Sequence, residues 1–352
     1  MESKVSISQE EHWLDPRCTV LPIDKLGPFV ELSDGNLMTI EGNATHQSKD
    51  DGRTWSEACT ISQEPPPGRP SGGGQFLKTH DGVYVYVYMD METFKWEWDE
   101  SHSEAAEDVR LDVWAIRSLD EGRTWIDRQR IFEGYCGALI NIIQTKSGHI
   151  VVPVQRLIRN PSRHGMCTYV SADNGKTWER SNIIDLGGHG HHDGAMEAIV
   201  VELQDGRLLM LLRTNWDYFW EAYSSDHGLS WRVIKSGDID ASSAPGYLTR
   251  LVSGRLVLVW NRLYPQGKSD YPRRGGDCNL SQDKASWQRE ELSIAFSEDD
   301  GKTWTEPAVF ACDKGGLSYP YIFERREGEL WITTWFQGKL RVSLREADFV
   351  GK

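Results

Sequence analysis

Glu197 and Arg213 stand at the two ends of MEAIVVELQDGRLLMLLR, with an Asp205–Gly206 turn signal midway between them. If the apolar runs on either side of that turn pair antiparallel, the ends meet and one rim carries both a carboxylate and a guanidinium. The carboxylate can relay a proton, and the always-charged guanidinium fork can hold an anion. A salt bridge at a hairpin mouth would use the same two residues. Just upstream, LGGHGHHDGAM carries His189, His191, His192 and Asp193 between glycines that let a loop approach its neighbours closely. Imidazole titrates near neutral pH, so His191, His192 or Asp193 is a candidate general acid. The same residue types bind metals, but H-G-H-H-D lacks the one-face spacing of a standard site, and no metal or other cofactor is expected. A plain surface loop is the remaining reading.

The elements that must position these groups show in two interleaved repeats. One is the octapeptide S-x-D-x-G-x-[ST]-W, found as SKDDGRTW (48–55), SLDEGRTW (118–125), SADNGKTW (171–178), SSDHGLSW (224–231) and SEDDGKTW (297–304). Its Asp accepts nearby backbone N–H groups, its Gly supplies a positive φ, and its Trp buries a large ring. Five copies spread through a chain cannot converge on one reacting atom, so Asp50, Asp120, Asp173, Asp226 and Asp299 are read as frame. The other repeat is a hairpin signal with two-residue turns centred on Gly35, Gly82, Gly148, Gly206, Gly254 and Gly328. Six hairpins alternating with five octapeptides, and almost no helical periodicity, predict an all-β chain. The architecture expected is a six-bladed β-propeller of four-stranded antiparallel blades, one domain over 1–352. The last unit lacks an octapeptide, and an N-terminal strand near Val5 to Ser8 is expected to complete it.

Composition narrows the function classes. With 53 acidic and 39 basic side chains the net charge is −14, which opposes nonspecific binding to nucleic acid or an anionic membrane. There is no apolar run of membrane-spanning length and no signal-peptide core at the start. A cytoplasmic location is expected for the chain as it stands, a secreted or periplasmic one if a leader has been removed. Six cysteines without metal-type spacing are read as small core residues.

The octapeptide resembles the Asp-box, or BNR repeat, of the sialidase superfamily, and the resemblance covers about residues 28 to 348. It implies the propeller and an exo-acting, retaining glycoside hydrolase that removes a terminal sialic acid or related 2-keto sugar acid from a glycan. Carried onto this sequence, it makes Tyr319 the nucleophile and Glu197 the base that takes its proton. A neutral phenol suits an anomeric carbon that carries a carboxylate, and sialidases are the exception to paired-carboxylate chemistry. Arg213 and Arg289 would fork onto the substrate carboxylate. The pattern departs in the first blade, where Leu26 stands at the expected arginine, Lys25 is the nearest cation and Glu41 the sole carboxylate. Arg69 is the candidate replacement guanidinium, with Arg17 behind it, and the His191–Asp193 segment is the candidate acid. Trp216 and Tyr218 offer faces for sugar stacking. Arg250 and Tyr247, in SSAPGYLTRL, are expected near the pocket, and the acidic Asp90–Asp108 stretch reads as a lid or a solvated loop. A noncatalytic sugar-binding propeller, and a glycosidase or lyase acting on uronic-acid glycans, are the alternatives. Oligomeric state is not legible.

Overall fold

A strand covered on both faces reads as a continuous apolar run rather than an alternating one. That describes LLMLLR, LVLVW and IVVPV, which form the second strands of blades 4, 5 and 3. The computed structural model describes residues 12–350 apart from 66, 72 and 265–268, and it shows six antiparallel blades. In each, the first strand is innermost: Phe29–Glu31, Gly74–Lys78, Ile143–Gln144, Met196–Glu202, Tyr247–Arg250 and Leu317–Arg326.

The core lies between blades. In blade 4, Leu208, Met210 and Leu212 pack with Val151 and Val170 of blade 3, while Leu209 and Leu211 pack toward Leu256 and Leu258 of blade 5. Alternate side chains of one strand therefore serve two interfaces, each buried leucine contributing roughly 1.5–3 kcal/mol. The ring closes where Tyr321 Oη accepts the Phe29 N–H at 3.0 Å and Trp331 meets Phe29 edge-on.

Two expectations about the frame change in detail. The outer strand of blade 6 is Thr19–Val20, paired Thr19 to Ser343; the Val5–Ser8 segment lies outside the described residues. His12–Leu14 adds a fifth strand to blade 5. Five of the hairpin turns hold three residues, not two. Leu32 N–H bonds Asn36 O, and Gly35, at φ 83°, donates to Leu32 O. This is a type I turn closed by a left-handed glycine, which the D-G dipeptide alone does not distinguish from a two-residue turn. Only Glu327–Gly328 is a two-residue connection, with Arg326 paired to Glu329.

The octapeptides lie between third and fourth strands and repeat one bonding pattern. In the fourth, Ser224 Oγ donates to Asp226 Oδ1 (2.7 Å) and accepts from Gly228 N (2.9 Å), and Asp226 accepts from Ser230 N (2.8 Å) and Oγ (2.5 Å). Of the cysteines, Cys136, Cys167 and Cys312 are buried; Cys18 and Cys278 are half-buried and Cys59 is exposed, so the core reading holds for three. The only α-helix among the described residues is Glu346–Phe349, and none is long and apolar enough to cross a membrane.

Candidate active site

Inner strands start on the rim opposite the octapeptides, and second strands end there. Glu197 begins the inner strand of blade 4 and Arg213 ends the next, so Met196 pairs with Arg213 and a one-residue register shift follows between Met196 and Ile199. The bulge aims the Glu197 side chain inward. Its Oε2 accepts from Arg213 Nη1 at 2.5 Å, and its Oε1 accepts from the Tyr319 hydroxyl at 2.5 Å, across 122 residues of sequence. Arg213 Nε donates to Ser243 Oγ (3.1 Å), and Arg289 Nη2 donates to Ser243 O (2.9 Å). Glu197, Arg213, Tyr319 and Arg289 thus form one cluster, held through a single serine at the entry to blade 5.

Both reacting candidates sit on strained backbone. Glu197 has φ 40° and Tyr319 φ 57°, a left-handed conformation that costs a residue with a side chain of the order of 1–3 kcal/mol. Such strain persists where the surrounding structure over-determines it, and here Gln155 Oε1 accepts the Glu197 N–H at 2.8 Å.

Charge in the cluster is unbalanced, with two guanidinium groups facing one carboxylate. Burial is the largest influence and works against the Arg213 charge, but Glu197 and Tyr319 together outweigh it and the pKa ends above its usual value. Arg289 is lowered to about 10, by burial first and by Arg213 second, and it stays charged at neutral pH. Arg213 Nη2 and Arg289 Nε are buried and find no partner of hydrogen-bonding geometry. Buried donors in that condition are rare and favour an anionic ligand. Burial and the Glu197 charge hold the Tyr319 phenol well above its ordinary range against the pull of the two arginines. It therefore stays protonated until a base removes its proton, and Glu197 is in contact.

Residues 39–332 match the family of BNR repeat-like domains. The chain belongs to that family. Its fold is a sialidase-like BNR propeller. None of the curated proteins matches it. Among solved structures it is similar to a protein of unknown function from Dyadobacter fermentans (TM-score 0.62, 15% identity, 95% of this chain and 98% of that one). It is also similar to the NanB sialidase of Streptococcus pneumoniae (0.58, 14%, 92% and 68%) and to an α-L-arabinanase of Penicillium chrysogenum (0.58, 14%, 96% and 97%). At such identities the likeness is one of fold.

The other expected site residues of this BNR propeller are placed differently. Asp193 is buried, with its carboxylate accepting the N–H groups of His189 (3.1 Å), Gly194 (2.8 Å) and Gln282 (2.9 Å); it ties loops together and is not aimed at Tyr319. His192 lies 5.4 Å from the Trp287 ring, and burial, then Arg213 and His191, lower its pKa to about 2. His191 is lowered in the same direction, by burial first. Burial thus works in both against the charged form that an acid role would use. Among the described residues no three His, Cys, Asp or Glu side chains are grouped to hold a metal ion.

Arg250 sits at the far end of the short Tyr247–Arg250 strand, bonded to Glu202 O and Asp300 on the octapeptide rim, so it is no part of the cluster. Tyr247 faces Tyr321 at 5.3 Å and, with inner-strand residues such as Phe29 and Phe76, lines a pocket of about 410 Å³ that does not include the cluster. Trp216 is bonded to Asp283 (2.8 Å), Tyr218 is exposed, and no bond joins either one, or half-buried Arg69, to the cluster. Lys25 is neutralised by Glu41 at 2.5 Å, and Arg17 by Asp15.

Sequence reasoning missed Ser243, Asn215, Gln155 and Trp287. Asn215 Oδ1 accepts from Ser243 Oγ (2.7 Å), and its Nδ2 donates to His192 O (2.7 Å). Trp287 lies beneath Arg289 and Arg213, its ring centre 5.1 and 6.0 Å from their Cζ atoms. The only local signal was the small-residue run SSAPG, which flagged the segment but drew attention to the wrong side chains.

Proposed function

We propose that this BNR propeller is an exo-acting glycoside hydrolase that removes a terminal carboxylated sugar, a sialic acid or related 2-keto sugar acid, through a covalent tyrosyl intermediate. The observation that carries the reading is the contact of Tyr319 Oη with Glu197 Oε1 beside two buried guanidinium groups. The fold is shared with an arabinanase as well as a sialidase, so it does not choose between neutral and acidic sugars. Arg213 and Arg289 support an acidic one, since their buried nitrogens without partners favour an anion. In the first step the Tyr319 oxygen bonds the anomeric carbon, the glycosidic C–O bond breaks toward the leaving oxygen, and the phenol proton passes to Glu197. Water then bonds the anomeric carbon as the bond to the tyrosyl oxygen breaks; that oxygen takes back its proton from Glu197, and the proton given up by the water passes to Glu197 and on to solvent. The leaving oxygen of an alkyl glycoside also needs a proton, and the placements of His192 and Asp193 do not favour either as its source. That gap supports a second reading, a sugar-binding propeller without turnover.

An aryl aglycone departs as phenolate and so reports the Tyr319–Glu197 step alone. The test is release of a chromogenic phenol from 2-keto acid glycosides and from uronides, by wild type and by the Tyr319→Phe and Glu197→Gln variants. Selective release from the 2-keto acid glycoside, reduced at least a hundredfold in both folded variants, is expected. Binding without release selects the second reading, and an unsaturated ultraviolet-absorbing product would indicate a lyase instead.

A further inference from the structure

Blade 5 carries an insertion between its second strand, Leu256–Trp260, and its third, Glu291–Ser297, and this insertion brings another guanidinium group beside the buried pair. Within it a two-stranded ladder pairs Arg273 with Ser286 and Arg274 with Ala285, so the two arginine side chains leave on opposite faces. They meet different surroundings. Arg273 donates to Asp217 Oδ2 at 2.8 Å and to Tyr264 Oη at 3.2 Å, and its charge is thereby neutralised. Arg274 lies with its Cζ 5.6 Å from the ring centre of Trp287, the same half-buried ring that lies 5.1 Å from Arg289 Cζ and 6.0 Å from Arg213 Cζ. Arg274 is exposed, and among the described residues its guanidinium donates no hydrogen bond and has no carboxylate in salt-bridge contact.

The charges around that indole are unequally matched. Arg213 is offset by Glu197, whereas Arg289 is held by Ser243 O and by aromatic faces: Trp287, then Phe336 at 5.5 Å and Tyr319 at 5.7 Å. An aromatic face stabilises a cation without neutralising it. Arg289 and Arg274 therefore both keep their charge for a ligand, on a chain whose net charge is −14. The field of such a chain disfavours anions at long range, so local cations act on a ligand that has already docked.

We infer that Arg274, stacked on Trp287, is a second anion site, and that the ligand carries two negative groups. The carboxylate held by Arg213 and Arg289 is one, and a sulfate ester or a further carboxylate is the other. The inference rests on the acid-sugar reading above. The Arg213–Arg289 pair is buried and Arg274 is exposed, so the two engage groups at different depths. Sulfate and carboxylate both accept paired N–H donors from one guanidinium fork, which a lysine, a point charge, reproduces only in part.

The test is calorimetric binding, at low ionic strength, of N-acetylneuraminic acid methyl α-glycoside, its 8-O-sulfate ester and its 2→8-linked dimer. Each carries sulfur in place of every glycosidic oxygen so that nothing turns over. Wild type should bind at least one of the two more highly charged probes roughly fivefold more tightly than the singly charged one, and whichever is preferred names the source of the second charge. Arg274→Gln should abolish that preference and leave the affinity for the singly charged probe unchanged, and Arg274→Lys should keep part of it. Equal affinity of wild type for all three probes, or an equal loss on all three in Arg274→Gln, overturns the second site and leaves the hydrolase standing. If wild type binds none of them, the acid-sugar reading fails and the second site fails with it.

Discussion

The two rims of the ring come from the same six hairpins and differ in how their polar groups are satisfied. On the octapeptide rim, the Ser and Asp of each repeat bond within the same eight residues, and the same atoms do so five times. On the opposite rim, Glu197 reaches Tyr319 across two blades, and Arg213 and Arg289 keep buried nitrogens without partners. The residues at positive φ differ in the same way. Glu121 and Asn174 occupy turn positions that any short polar residue can take, whereas Glu197 and Tyr319 hold that geometry within strands. Repetition therefore makes a self-contained frame, and the chemistry sits where the repeat is broken and groups depend on distant segments.

This contrast predicts unequal sensitivity. The largest effect should follow Arg213→Met, which leaves the Glu197 carboxylate buried without its cation; a stability loss of about 3–5 kcal/mol is expected in urea denaturation. A loss below 1 kcal/mol would mean that the charges are not coupled as the geometry shows.

Next comes acid. His164 is buried against the loop before blade 4, its Nε2 2.9 Å from His191 O, and burial lowers its pKa to about 4. Because the folded value is depressed, the unfolded chain binds the proton more readily. The stabilisation is present in full above about pH 6.5, and it is lost as pH falls toward 4, by roughly 3 kcal/mol. The slope of stability against pH in that window should flatten in His164→Gln, and an unchanged slope would assign the acid sensitivity elsewhere.

The smallest effect should come from the frame. Asp226→Ala removes three hydrogen bonds of one octapeptide and should cost about 1–2 kcal/mol, a fall in Tm of a few degrees, with turnover on aryl glycosides retained. Loss of turnover at unchanged Tm would erase the distinction between the rims.

Local periodicity carried the architecture well. Asp-Gly dipeptides flanked by β-branched runs report a hairpin because turn and strand chemistry act within a few residues; the turn length and the strand that completes blade 6 were not legible in the same way. Glu197 and Arg213 were legible as a pair for the same reason, since one hairpin brings both ends to one rim. Ser243 and Gln155 were not, because a serine hydroxyl and a glutamine amide look the same in any loop until the ring closes. The weight placed on His191 and His192 turns on an equally distant property. Imidazole titrates near neutral pH in water, but once the blades close, burial of His192 and then the nearby guanidinium of Arg213 lower its pKa.

By itself the sequence determined the blade count, the turn positions and the octapeptide bonds, since each depends on contacts a few residues apart. Only the tertiary structure decided which carboxylate meets the phenol, which imidazoles lose their charge, and which guanidinium groups are buried beside one serine. Those properties arise from desolvation and from contacts across the ring, and both exist only once six blades have closed around an axis.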